Sequence, residues 1–170
     1  NKLQLTRGNF LKMVRDGIVK KNSDLSGVDL SKISMPGIDL SQVNLAGADL
    51  SRANLRGANL EGANLEHAIM TRTNLAIANL KGANLRCANL MAANLSGAAT
   101  SSGQSTARVI GANLHRANLV NADLRDANLI RAKLSWADLR GANFIGANLS
   151  RAILQGAKYD PDAFDKAISV

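Results

Sequence analysis

A repeat of five residues constrains this chain more than any other feature. From Ser23 onward the pattern Ala-(Asn/Asp)-Leu-x-x recurs, centred on its Leu, from Leu25 to Leu95 and then at Thr100. It resumes at Val109 and continues through Leu114 and Leu119 to Tyr159, giving 27 repeats, 16 before the interruption and 11 after. Leu fills 21 of the 27 centres, Ala fills 21 of the sites two residues earlier, and Asn or Asp fills 20 of the sites between. Three columns held this tightly make the repeat a structural unit and not a compositional accident. A period of five fits neither a helix at 3.6 residues nor a strand at 2. It requires a short extended piece and a corner, repeated. Ala and Leu flank one residue, so both point to the same side of the extended piece, which must be the inside. The Ala is small because opposite walls of a narrow tube approach closely, and Leu fills the middle. Asn and Asp bond readily to neighbouring backbone and mark the corners. The last two positions vary and are often Ser, Arg, Glu or Gly, so they are expected to face water.

Runs such as Ala53-Asn54-Leu55-Arg56-Gly57 and Ala58-Asn59-Leu60-Glu61-Gly62 resemble the pentapeptide-repeat family, over roughly residues 23 to 161. The resemblance implies an all-β fold, a right-handed quadrilateral β-helix. Four repeats, about 20 residues, form one square coil, and coils stack at ~4.8 Å. On this chain that predicts about 6 to 7 coils, with stability approximately a sum over coils and their interfaces. Leu45, Leu50, Leu55 and Leu60, with Ala48, Ala53, Ala58 and Ala63, are the expected core.

A solenoid has to cover its open ends. Residues 1–22 lack the repeat, and Phe10, Met13 and Val14 follow helical spacing, with Asn9 as the expected cap and Gly17 as the expected end. The first coil carries Ser23, Val28, Ile33 and Ile38 where Ala is usual, which predicts a wider mouth beneath this helix. Asp160-Pro161-Asp162 reads as the start of a second short helix over 162–170, placing Ala163, Phe164, Ala167 and Ile168 on the last coil. The expected division is therefore a cap at 1–22, solenoid at 23–102, an inserted loop at 103–106, solenoid at 107–161, and a cap at 162–170, all one domain. A homodimer contact through a terminal cap, centred on Phe164, is a further expectation.

The interruption is where the lattice should bulge. With Thr100 and Val109 both taken as centres, four residues are extra, most simply Gly103, Gln104, Ser105 and Thr106. Insertions in repeat proteins map to loops on one face, often a binding face. The alternative is a neutral insertion on a tolerant surface.

Net charge is +8. The variable columns carry Lys32, Arg52, Arg56, Arg72, Lys81, Arg86, Arg116, Arg125, Arg131, Arg140 and Arg151 against Glu61, Glu66 and Asp126. Residues 20 apart should stack, so Lys32, Arg52 and Arg72 form one column, and a four-residue insertion would continue it through Ala92, Arg116 and Trp136. A second face is expected to gather Arg86, Arg108, Arg131 and Arg151. Such a stripe suits an acidic protein surface or, more weakly, another anionic surface; the plainer reading is solvated arginines that keep the tube soluble. Within the family it resembles, the fluoroquinolone-resistance members imitate the DNA duplex with an acidic surface and bind DNA gyrase. The charge sign here departs from them. Nucleic acid is disfavoured as a ligand too, because stacking aromatics are nearly absent at 3%.

No residues are expected to be catalytic, metal-binding or cofactor-binding. A filled tube offers no pocket in which polar groups converge. His67 and His115 fall in outward columns without a Cys or second His expected nearby, and the single Cys87 excludes an intrachain disulfide. No apolar run reaches the ~20 residues of a membrane span. Cytoplasm is the default expectation, with a removed leader or anchor as the alternative, since the sequence begins with Asn. These features point to a non-enzymatic scaffold or regulator that presents a solenoid surface to an unidentified protein partner. The alternatives are a gyrase-protecting DNA mimic and a peripheral membrane-docking module.

Overall fold

The computed structural model describes residues 6–96 and 111–170. The repeat folds as a right-handed β-helix. Each repeat supplies one short parallel bridge, and bridges recur with a step of 20 residues, so four sides complete a turn. The first side stacks Asp24, Asn44, Asn64 and Asn84; the second, Asp29, Asp49, Ile69 and Asn89; the third, Ser34, Asn54, Asn74 and Asn94; the fourth, Asp39, Asn59 and Asn79. The bonding rule is the same throughout. Leu45 N–H donates forward to Asn64 O at 2.7 Å, Gly47 N–H donates to Glu66 O at 2.8 Å, and Asn44 N–H donates back to Ser23 O at 3.0 Å. Each backbone is thus saturated by its neighbours in the stack, as buried peptide groups require.

Leu and Ala point inward. Leu45, Leu50, Leu55, Leu60, Ala48, Ala58 and Ala63 are fully buried and Ala53 nearly so. Thr73 replaces an Ala of the core, and its hydroxyl donates to Leu50 O at 2.8 Å, so no polar atom is stranded.

The Asn/Asp column does two jobs. Its Oδ1 accepts from the backbone N–H two residues on, as in Asp49 to Ser51 (2.9 Å) and Asn64 to Glu66 (3.2 Å). Its Nδ2 donates down the stack, Asn44 to Asp24 at 2.9 Å, Asn64 to Asn44 and Asn84 to Asn64 at 3.0 Å each. The result is a polar ladder along the outside of the side. The last position of the repeat is less free than its sequence variability suggests. It is left-handed at every corner from Gly27 to Ala92 and from Arg116 to Gly156, for example Gly47 (65°), Lys32 (59°), Arg52 (58°) and Ile77 (55°). Glycine recurs there because that conformation costs other residues about 1–2 kcal/mol.

The interruption departs from the expected register. Ala112 N–H donates to Leu95 O at 3.0 Å, the same link that joins Ala93 to Leu90. Asn79, Asn84, Asn89 and Asn94 bridge to Asn113, Asn118, Asp123 and Asn128, a step of 34 in place of 20. The lattice therefore passes from Ser96 to Gly111, with fourteen residues between them rather than four. It does so before the fourth side, and not after Ser102 where the inserted loop was expected. Thr100, Gly103, Gln104, Ser105, Thr106, Arg108 and Val109 lie outside the described residues.

At the N-terminal end, helix α1 (Arg7–Arg15) buries Phe10 completely and packs Met13 and Val14 against the core. Its N-cap is Thr6, not Asn9; Asn9 sits at the third helical position, and its Oδ1 accepts from Thr6 N–H at 2.9 Å. Gly17 follows the C-cap Asp16 with φ 69°. The expected helix over 162–170 is absent. Residues 161–166 form consecutive turns and Ser169 bridges to Asn148. Proline and three nearby aspartates favour turns, and backbone pairing with the last coil outcompetes helix. Asp160 Oδ2 accepts from Gly141 N–H (2.6 Å), Lys166 O from Gly146 N–H (2.9 Å) and Ser169 O from Leu149 N–H (2.8 Å). Phe164 packs at 4.9 Å from both Phe144 and Tyr159. Among the described residues no helix is long and apolar enough to cross a membrane.

Candidate interaction surface

Left-handed corner residues project from the four edges of the tube, so the ladder dictates which of them are neighbours. The edge after the second side stacks Lys32, Arg52, Arg72, Ala92, Asp126 and Gly146. Lys32, Arg52 and Arg72 are exposed, on successive coils. Arg116 and Trp136 do not continue this column. The step of 34 stacks Arg116 beyond Gly82, so Gln42, Gly62, Gly82, Arg116, Trp136 and Gly156 share the edge after the fourth side. That edge is diagonally opposite the first. The second expected basic face also divides: Arg86 lies at the edge after the first side, whereas Arg131 and Arg151 stack at the edge after the third.

Ion pairing separates the cations further. Lys81 pairs with Glu61 (3.5 Å), Arg86 with Glu66 (3.2 Å), Arg125 with Asp123 (2.7 Å) and Arg140 with Asp138 (2.6 Å). The last two are forked contacts, each with the arginine Nε bonded to the second carboxylate oxygen, at 2.9 and 2.8 Å. Their hydrogen bonds hold the Asp123 and Asp138 carboxyls below the ordinary aspartate value and raise the two arginines. Lys32, Arg52 and Arg72 have no carboxylate partner within 4.0 Å among the described residues. Arg7 of α1 extends the stripe at its N-terminal end, because its Nη1 donates to Ser31 O at 2.8 Å, next to Lys32.

The two flanks of this edge differ. On the second side lie Asp29 and Asp49; Asp29 is held below its ordinary value mainly by hydrogen bonds from Ser31, with Arg7 and Lys32 adding attraction. On the third side lie Ser34, Asn54, Asn74 and Asn94, all uncharged. Arg56 stands exposed at that side's far edge.

The model for pentapeptide repeats matches residues 23–62, 58–97, 107–144 and 127–158, eight copies in all. The chain belongs to the pentapeptide repeat family. Solved pentapeptide repeat proteins resemble it over most of their length. One from Nostoc PCC 7120 is 23% identical, covering 89% of this chain and 95% of that one, at a TM-score of 0.46. QnrB1, a plasmid-mediated fluoroquinolone resistance protein, is 19% identical over 82% and 90%, at 0.44. Rfr23 from Cyanothece 51142 is 26% identical over 92% and 97%, at 0.32. Membership is carried by the repeat itself and not by any one of these likenesses. No curated protein sequence matches significantly.

The pentapeptide repeat ladder also corrects the expected isolation of the histidines. His67 N–H donates to Arg86 O at 3.0 Å, so Cys87 follows His67 as the next residue on the same edge, and the two share a column with Gly47 and Asn121. Counting by twenties would have found this pair. Among the described residues no group of three or more His, Cys, Asp or Glu forms that could hold a metal. Trp136 is 59% exposed, and its indole lies against the open side of Gly156.

Proposed function

We propose that this pentapeptide repeat protein is a non-enzymatic interaction scaffold that meets a protein partner along the edge bearing Lys32, Arg52 and Arg72. The observation that supports this reading is the contrast in pairing. Four cations of the outer columns are neutralised by carboxylates of the tube, while these three form a run on consecutive coils without one, longer than the run of two made by Arg131 and Arg151. Uncompensated stacked charge repels itself and is retained most simply for a complementary surface. Imitation of the DNA duplex has the charge sign against it. Pull-downs with the chain and with a Lys32→Asn, Arg52→Asn, Arg72→Asn variant, each at two salt concentrations, test the proposal. Asn tolerates the left-handed conformation, so the tube should be retained. Partners specific to the unaltered chain and weakened by salt are expected; identical partner sets from both chains would refute it.

A further inference from the structure

The stripe sets a spacing, and spacing selects among acidic partners. Successive coils rise ~4.8 Å, so Lys32 and Arg72 are separated by about 9.6 Å along the axis, with Arg52 midway. An α-helix lying parallel to that axis repeats a surface position every three or four residues, rising about 4.5 or 6.0 Å, and returns after seven residues at about 10.5 Å. An extended strand repeats a face every two residues at about 6.7 Å and covers about 13.4 Å in two steps, so it falls out of register. Phosphates of a duplex strand wind away from a straight edge as they rise about 3.4 Å each. Of these three, the helix alone keeps three negative groups opposite three cations in line.

The flanks say where such a helix rests. Asp29 and Asp49 repel carboxylates from the second side, whereas Ser34, Asn54, Asn74 and Asn94 line the third side with hydrogen-bonding groups and no charge. Arg56 adds a cation at the far edge of that side. We infer that the third side is a docking surface for an acidic α-helix running along the solenoid axis, with Asp or Glu at i, i+3 or i+4, and i+7 meeting Lys32, Arg52 and Arg72. Arg7, beside Ser31, lies at the N-terminal end of the same line and suits an acidic residue one turn further on. This inference rests on the stripe's being the interaction site and specifies its occupant.

The test is fluorescence anisotropy of the full chain with two labelled, Ala-rich helical peptides of equal length and charge. One has Glu at i, i+4 and i+7; the other scatters the same Glu residues around the helix. The patterned peptide should bind about tenfold more tightly than the scattered one, a difference of about 1.4 kcal/mol. The triple Asn variant should lose that preference, while Arg116→Asn, on the diagonally opposite edge, should keep it. Equal binding of both peptides, sensitive to the triple variant, overturns the helix and leaves the stripe as an interaction site. Binding that the triple variant leaves unchanged, or no binding of either peptide, overturns both. Stronger stripe-dependent binding to a 20-base-pair duplex or to phosphatidylglycerol vesicles than to the patterned peptide also overturns the helix, in favour of that ligand.

Discussion

At the scale of single residues, the corner conformation governs most of what a substitution will do. Ile77 is β-branched, 39% exposed and held at φ 55°, a combination that bulky residues avoid. Its Cδ1 lies over the open side of Gly57, one coil below. Replacing Ile77 with Asn should raise stability by about 0.5–1 kcal/mol, because relief of the backbone strain outweighs the packing that Ile77 makes over Gly57. A chemical-denaturation midpoint checks this. Gly111 shows the opposite case. A Cβ there would run into the Arg131 carbonyl and the Ala132 nitrogen, both backbone atoms that cannot swing aside. Gly111→Ala should therefore cost about 1–3 kcal/mol, seen as a lowered midpoint with an unchanged slope. Inward positions were legible from the sequence, because burial in a tube this narrow admits little but Ala and Leu. Left-handed edges were less so. Lys, Arg, Gln, Ile and Trp occupy them alongside Gly, and tolerance of a modest penalty erases the pattern that would reveal them.

Elements show how the ends are finished. Helix α1 was readable from the spacing of Phe10, Met13 and Val14, and Phe10 plugs the mouth with no exposed surface. Phe10→Ala should destabilise by about 3–5 kcal/mol, measured by thermal or denaturant unfolding, since Phe10 is the fully buried residue by which α1 joins the core. The C-terminal end misled the sequence reading. An Asp-Pro-Asp start is a fair helix signal when local preference decides, but here the last coil offers unpaired N–H groups at Gly141, Gly146 and Leu149 that the tail satisfies in turn. Tertiary pairing overrides the local signal. The tail meets the last coil at two corners and one side in this way. Ile153 and Trp136, on or beside the fourth side, remain 47% and 59% exposed.

The whole molecule responds to pH and salt through charges on its outside. Asp29, Asp39, Asp123 and Asp138 all have carboxyls held below the aspartate value of 3.8. For Asp39 the leading cause is the Ser41 backbone N–H; for Asp123 and Asp138 it is the arginine fork. A depressed folded value means the folded state binds protons less readily than the unfolded one. The associated stability is complete well above pH 3.8 and is lost as pH falls through the folded values. Melting temperature should thus be flat from about pH 7 to 5 and fall below about pH 4, and an Arg125→Gln, Arg140→Gln variant should fall less steeply over that acid range. Of the candidate surface, Lys32, Arg52 and Arg72 were legible because no register change separates them. Arg116 and Trp136 were misplaced because the expected four-residue insertion implies a step of 24 across the interruption, whereas the described ladder steps by 34.

The passage from Ser96 to Gly111 uncouples two measures that keep step along the rest of this tube, distance along the chain and level along the axis. Arg116 is only twenty residues past Ser96, yet it stacks beyond Gly82, whose N–H donates to the carbonyl of the neighbouring His115. A position on this molecule is addressed by edge and level, and residue number is only a rough guide to either. Because each level is bonded just to the ones above and below it, chain length between two adjoining corners can vary while the levels beyond keep their addresses. Outer chemistry on either side of such a junction can then diversify independently, with Lys32, Arg52 and Arg72 on one side of it and Arg131 and Arg151 on the other.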